Sequence, residues 1–383
     1  MISAEFLLGQ LSERGVLEIA GVPCSYLTPV INKAATDPSV RYLRSTHEGE
    51  AVASAAGSWL AGVTTCVIAQ NSGLGNMVNP LTSLHSPAEI PVPMILTWRG
   101  EPGRPDEPQH ELMGAITPDL LSLMRVPSAV LPRGEEAADE VFRRGWKEME
   151  ECSVPFAFVL RDDTVAAEEL REPPASRLPR ARAVTSNIPA ETPTRFSVLN
   201  ALLETLPENA AVISTTGKTS RELFTIGDRP QHFYLVGAMG SASAVGLGVS
   251  RHTMKPVFVI DGDGAALMRL GTFSAIGAQA GPGFTHVLLD NGVHDSTGGQ
   301  LTLAAHTDFS AIASACGYRS VYNCGSTSEF VSAIRECLHE TGPSLVYLKI
   351  SPGSIPRLAR PDQHPRDVAR RFKEFLTSSP DSP

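Results

Sequence analysis

The sequence predicts an α/β protein built from two doubly wound parallel-sheet domains. Three observations lead to that fold class. Strand-like and helix-like segments alternate through the N-terminal half. A Pro- and Arg-rich stretch then interrupts the alternation, which restarts behind it. Several strand segments are continuous apolar runs without polar alternation, the mark of strands buried on both faces. Alternation of this kind argues for a parallel sheet with helices on each side.

Taken in order, Ser3 can cap a first helix ending near Gly15, and Val16–Ala20 reads as a strand leaving through Gly21-Val22-Pro23. Val40–Leu43 is a second strand and Glu48–Leu60 a helix. Thr64–Ala69 and Val92–Thr97 are buried strands, Glu135–Glu150 is an amphipathic helix, and Phe156–Leu160 closes the first set. Residues 168–193 hold Pro173, Pro174, Pro179, Pro189 and Pro193 together with Arg171, Arg177, Arg180 and Arg182, which is the composition of a linker. Domains at 1–167 and 194–383 follow. In the second, strands are expected at Ala211–Ser214, Val257–Ile260, Thr285–Leu289 and Leu345–Ile350, and the tail from Thr377 to Pro383 reads as disordered.

Bulk numbers narrow the function. The 383 residues carry 32 Lys and Arg against 41 Asp and Glu, a net charge of −9. Such a chain lacks the basic field that nucleic acid or an anionic membrane demands. The six cysteines are scattered, with no CxxC pair for zinc or iron–sulfur, and fit a reducing cytoplasm. The start of the chain lacks the basic and apolar regions of a signal peptide. Residues 51–88 contain no Asp, Glu, Lys or Arg, but glycines and amides break the stretch, so it reads as buried helix, strand and loop rather than a membrane span.

The most informative segment is Val257-Phe258-Val259-Ile260-Asp261-Gly262-Asp263-Gly264, a buried strand running into Gly-Asp-Gly. A second strand ends in Asp290-Asn291. Ligands of open parallel sheets bind beyond the carboxyl ends of strands. Two strand ends would present a carboxylate and an amide oxygen, hard ligands suited to Mg²⁺ with phosphate and water in the remaining places. Glycines let backbone approach an anion at the following helix N-terminus.

Gly262-Asp263-Gly264, followed after 25 residues by Asp290-Asn291, resembles the thiamine diphosphate motif, with Asp290 in place of its first Asn. The resemblance implies that Asp263, Asn291 and the Val293 carbonyl hold Mg²⁺ on the diphosphate of thiamine diphosphate, with Gly217, Gly237, Gly262, Gly264, Ala265 and Ser296 around the cofactor. It also implies a pyrimidine-binding first domain, a diphosphate-binding second domain and no middle domain. Glu48, in His47-Glu48-Gly49-Glu50, matches the family's catalytic Glu, with Glu50 its competitor. A carboxyl donating to the aminopyrimidine favours the imino form, which can deprotonate the thiazolium. Met239, in Val236-Gly237-Ala238-Met239-Gly240, matches the apolar wedge that bends the cofactor.

Four further segments are similar to the phosphonopyruvate decarboxylases: Trp98–Gly103, Asp106–His110, Thr215–Glu222 and His294–Gln300. The sulfopyruvate decarboxylases share much of the same pattern, and another thiamine diphosphate-dependent 2-oxoacid decarboxylase or carboligase is the remaining alternative. The resemblance implies decarboxylation of a small anionic 2-oxoacid by a homo-oligomer with active sites between chains. A phosphonate prefers Arg and other basic partners, so Arg99, His110, Lys218 and His294 are substrate candidates. Ser25 is expected at the substrate carboxylate, and Asn71 at its keto oxygen.

Overall fold

Apolar runs with β-branched residues form the sheets, and the glycines at their ends let the chain turn into helices. The computed structural model describes residues 1–171, 181–186 and 192–378. The chain forms two compact units, one of Met1–Trp59 with Val63–Ser176, the other of Arg177–Pro383 with Leu60–Gly62.

The first unit contains strands β1 (Val16–Gly21), β2 (Arg41–Arg44), β3 (Thr64–Gln70), β4 (Pro93–Thr97), β5 (Ser128–Val130) and β6 (Phe156–Leu160). They lie in the order β2-β1-β3-β4-β6-β5, and every pairing is parallel. The winding direction changes between β1 and β3. Ser3 does cap the first helix, its Oγ accepting the Phe6 amide at 3.0 Å. The helix Glu135–Cys152 turns Ala138, Phe142, Trp146 and Met149 inward. Phe142 meets Phe158 of β6 at a centroid distance of 4.5 Å, and Phe158 meets Phe156 at 4.8 Å. The charge-free stretch 51–88 is divided among a helix, β3 and short helical turns. No helix among the described residues is long and apolar enough to cross a membrane.

The second unit contains β7 (Arg182–Thr185), β8 (Ala211–Ser214), β9 (His232–Tyr234), β10 (Val257–Gly262), β11 (Phe284–Asp290), β12 (Val293–His294), β13 (Gln300–Leu301), β14 (Ser320–Cys324) and β15 (Ser344–Lys349). Seven form a parallel sheet in the order β7-β14-β15-β11-β10-β8-β9, while β12 and β13 make a small antiparallel hairpin. Here the winding changes between β8 and β10.

Several elements differ from the sequence pattern. β2 begins at Arg41, one residue late. Arg182–Thr185, assigned by composition to the linker, is an edge strand paired with β14. All four of its residues are exposed, so it joins the sheet through backbone bonds and through Arg182, which pairs with Glu336 and Glu340. Composition does not register a strand of that kind. Thr377, placed in the disordered tail, ends the helix Pro365–Thr377. Pro173, Pro174, Arg177, Pro179, Arg180 and Pro189 of the linker, and residues 379–383 of the tail, lie outside the described residues.

The helix Ala242–Ser250 is buried at every position and packs on β10. Gly246 makes this approach possible, because a Cβ there would run into Val259 Cγ2 and come within 3.1 Å of Phe284. Gly246→Ala should therefore destabilise the protein despite its better helix propensity. About 1–3 kcal/mol is expected for overpacking of this kind, read as a thermal midpoint lowered by several degrees.

Candidate active site

One cluster of the expected site residues lies where the second sheet changes direction. β10 ends at Gly262, and Asp263 begins the helix Asp263–Met268. β11 ends at Asp290 and delivers Asn291. β8 leads through Thr215 and Thr216 to Gly217, which at φ +90° turns the chain into the helix Lys218–Ile226. These ends surround a cleft of roughly 230 Å³. Of the residues expected at the cofactor or substrate, it gathers Gly217, Lys218, Met239, Gly262, Asp263, Gly264, Ala265, Asn291, Val293, His294 and Ser296. Gly237 stands outside its lining. Met239 follows Ala238, a non-glycine residue at φ +51°, a costly conformation that concentrates at functional turns. The His294 ring covers Gly264 so closely that a Cβ there would lie 2.7 Å from Cε1.

The polar groups are organised for a charged ligand. Asp263 is buried, and burial raises its carboxyl above the usual range, while the Thr302 hydroxyl donates to Oδ2 at 2.5 Å and opposes that shift. Nearby Asp290 raises it further. Asp290 itself is accommodated by neutral donors, the Tyr347 hydroxyl at 2.6 Å and the Gly292 amide at 2.9 Å. Asn291 Oδ1 accepts the Val293 amide at 3.2 Å. Thr215 Oγ1, at the cleft wall, is buried and has no hydrogen-bond partner among the described residues. An orphan hydroxyl beside a helix N-terminus fits a phosphate oxygen. A carboxylate, an amide oxygen and a backbone carbonyl together fit Mg²⁺. Arg195, Thr216 and Asp295 also line this cleft. Of these, Arg195 comes from the start of a helix remote in sequence, so no motif marks it.

A separate cluster lies at the strand ends of the first unit. Glu48 opens the helix Glu48–Leu60, half-buried, and Asn76 Nδ2 donates to its Oε2 at 2.7 Å. Its carboxyl crosses the backbone of Gly73, where a Cβ would lie 2.7 Å from both Cδ and Oε1. The competitor Glu50 is buried and occupied, accepting the Thr46 amide and hydroxyl at 3.2 and 2.7 Å. That makes Glu50 a helix-capping group and leaves Glu48 as the presented carboxyl.

Ser25 and Arg99 come together, with Arg99 Nη1 donating to Ser25 Oγ at 3.0 Å. The guanidinium lies over Tyr26, and Asp106 takes hydrogen bonds from both Nε and Nη2. That fork holds the Asp106 carboxyl far below the usual carboxylate range. The ring of His110, at the head of the helix Glu111–Leu123, shares no hydrogen bond with this group among the described residues. Asn71 corrects an expectation. It is fully buried, donating to the Arg99 carbonyl and Thr117 Oγ1 and accepting the Arg99 amide. With both ends of its amide in use, it holds the Arg99 backbone and offers nothing to a keto oxygen.

Residues 1–122 match the N-terminal, and residues 215–348 the C-terminal, TPP binding domain of thiamine pyrophosphate enzymes. The chain is 52% identical over 379 residues to a phosphonopyruvate decarboxylase of Streptomyces hygroscopicus, covering 98% of this chain and 94% of that one. The chain belongs to the phosphonopyruvate decarboxylase family of thiamine diphosphate enzymes. It is also 28% identical over 378 residues to a sulfopyruvate decarboxylase of Methanosarcina acetivorans, covering 96% of this chain and 95% of that one. A solved putative thiamin diphosphate-dependent enzyme from Mycobacterium smegmatis shares the fold, with a TM-score of 0.70 at 14% identity over 92% of this chain and all of that one. The protein is thus a thiamine diphosphate-dependent decarboxylase.

Its Glu48 depends on an absent side chain at residue 73. Gly73→Ala should displace the carboxyl and slow decarboxylation at least tenfold with the fold retained. Gly75→Ala, where a new Cβ meets nothing within 4 Å, should stay near the parent rate. Equal rates in the two variants would show that the Glu48 position is not critical.

Proposed function

We propose that the protein converts 3-phosphonopyruvate to phosphonoacetaldehyde and CO₂ without oxidation, using thiamine diphosphate and Mg²⁺. The observation that carries the substrate assignment is the 52% identity to a phosphonopyruvate decarboxylase across 94% of its length. Thiamine diphosphate, when bound, supplies a nucleophilic carbon and an electron sink for the departing carboxylate.

The chain's own residues have distinct tasks. Asp263, Asn291 and the Val293 carbonyl hold the metal, while Gly217, Gly262, Gly264, Ala265 and Ser296 let backbone and hydroxyl donors approach the diphosphate. Glu48 has Oε2 fixed by Asn76, and its Oε1, without a hydrogen-bond partner among the described residues, would hold the proton shared with the aminopyrimidine ring. Met239 supplies the apolar wedge. Ser25 Oγ and Arg99 Nη1 form a paired donor edge for one anionic end of the substrate. Lys218 and His294, which line the cleft of the second unit, are the groups assigned to the other charges, with His110 a further candidate. In this reading the working enzyme is a homo-oligomer with each site shared between copies. It works in the cytoplasm, a setting that six unpaired cysteines suit.

Product analysis tests the substrate. With Mg²⁺ and thiamine diphosphate present, phosphonopyruvate should release CO₂ and phosphonoacetaldehyde at least tenfold faster than sulfopyruvate or pyruvate react. Faster turnover of sulfopyruvate would move the assignment to the sulfonate. Glu48→Gln should lose about a hundredfold or more in turnover while still binding the cofactor, as expected when a proton-transfer group is removed. Asp263→Ala should lose the Mg²⁺-dependent activity. Full activity of the parent after exhaustive chelation would refute the metal assignment.

A further inference from the structure

An asparagine ligand has a problem that a carboxylate ligand lacks. Its two amide ends are nearly equal in size, yet only the oxygen can face a cation. In this protein Asn291 Nδ2 donates to Asp295 Oδ2 at 2.7 Å. An ionised carboxylate accepts hydrogen bonds and donates none. The carboxylate therefore turns Oδ1 away from Asp295, in the same sense as the Val293 amide that donates to Oδ1 at 3.2 Å. Asp295 is in turn held from two sides. Its Oδ1 takes the Gly353 amide at 3.0 Å, and its Oδ2 takes Arg195 Nη2 at 2.5 Å. The Arg195 side chain is only 6% exposed, and its Nη1 lies 3.6 Å from Glu222 Oε2 and 3.4 Å from the Gly353 carbonyl. A connected chain of charges, Glu222–Arg195–Asp295, thus ends on the one amide expected to ligate the metal. Arg195 and Asp295 share the cleft lining with Asp263 and Asn291.

We propose that Asp295, braced by Arg195, is a positioning residue that fixes which end of the Asn291 amide meets the divalent cation. The inference rests on the reading of Asn291 as a metal ligand. Arg195 cancels the charge of Asp295, so the orienting group acts through its acceptor geometry and does not compete as a ligand. Groups that orient a metal ligand commonly matter about 10–100-fold in metal affinity.

The experiment measures Mn²⁺ affinity by electron paramagnetic resonance, in the full-length protein with saturating thiamine diphosphate. Asp295→Asn is expected to lose about 10–100-fold, with a lower unliganded melting temperature because Arg195 loses its charged partner. Asp295→Glu retains the charge against Arg195 but moves the acceptor, so it should fold as the parent does and also lose affinity. In an Asn291→Asp background both ends of residue 291 are oxygens, orientation ceases to matter, and adding Asp295→Asn should cost nothing. A purely structural Asp295 would show the same cost in both backgrounds, and that result would overturn the proposal. So would parent-like Mn²⁺ affinity in both Asp295 variants while Asn291→Ala loses it. If Asn291→Ala itself keeps parent affinity, the ligand reading fails, and the proposal with it.

Discussion

The buried carboxylate of Asp263 sets the terms for the second unit. It sits at the end of a strand covered on both faces, where burial disfavours its charge and Asp290 adds a like charge nearby. Alone, the Thr302 hydroxyl compensates little for an ionised carboxylate in such a place. A divalent cation would relieve that conflict, because it would supply an opposite charge and take the surrounding oxygens as ligands. The glycines on either side of Asp263, the turn at Gly217 and the strained Ala238 all bring backbone toward that point. The second unit thus holds local strain and a costly buried charge around one set of strand ends.

The first unit solves a different problem, which is to present one carboxyl and one guanidinium in fixed orientations. Glu48 crosses over Gly73, so the missing side chain at residue 73 is as much part of the arrangement as the acid. Arg99 is fixed at four places: Asp106 along its fork, Tyr26 under its plane, Ser25 at one edge and Asn71 through its backbone. A preorganised guanidinium loses little freedom on meeting an anion.

Much of this was legible in the sequence because parallel sheets write their strands as apolar runs and place their sites at strand ends. The segments Gly262–Gly264, Asp290–Asn291 and His294–Ser296 are contiguous, so motif and site coincide. The partners of those residues were not legible. Arg195, Thr302 and Tyr347 lie far from the motifs they support and meet them only through the fold. Asn71 was misplaced for the converse reason. It stands in a motif-like turn, but the pattern could not show that Thr117 and the Arg99 backbone already use both ends of its amide. The edge strand Arg182–Thr185 was hidden because it buries no side chain.

The charge arrangement then explains how a chain of net charge −9 serves anionic ligands. Two of its arginines near these clusters are already balanced, Arg99 by Asp106 and Arg195 by Asp295. Neither contributes a full free positive charge, so their value is directional. Lys218 is different, since its Nζ donates to the Ser354 hydroxyl at 3.1 Å and forms no ion pair among the described residues. It is also the first residue of a helix whose N-terminal amides face the cleft. Lys218 and that helix end therefore carry the less compensated positive potential here, while the two arginines are fixed in orientation. Arginines balanced and fixed in this way discriminate among small anions by geometry more than by net charge.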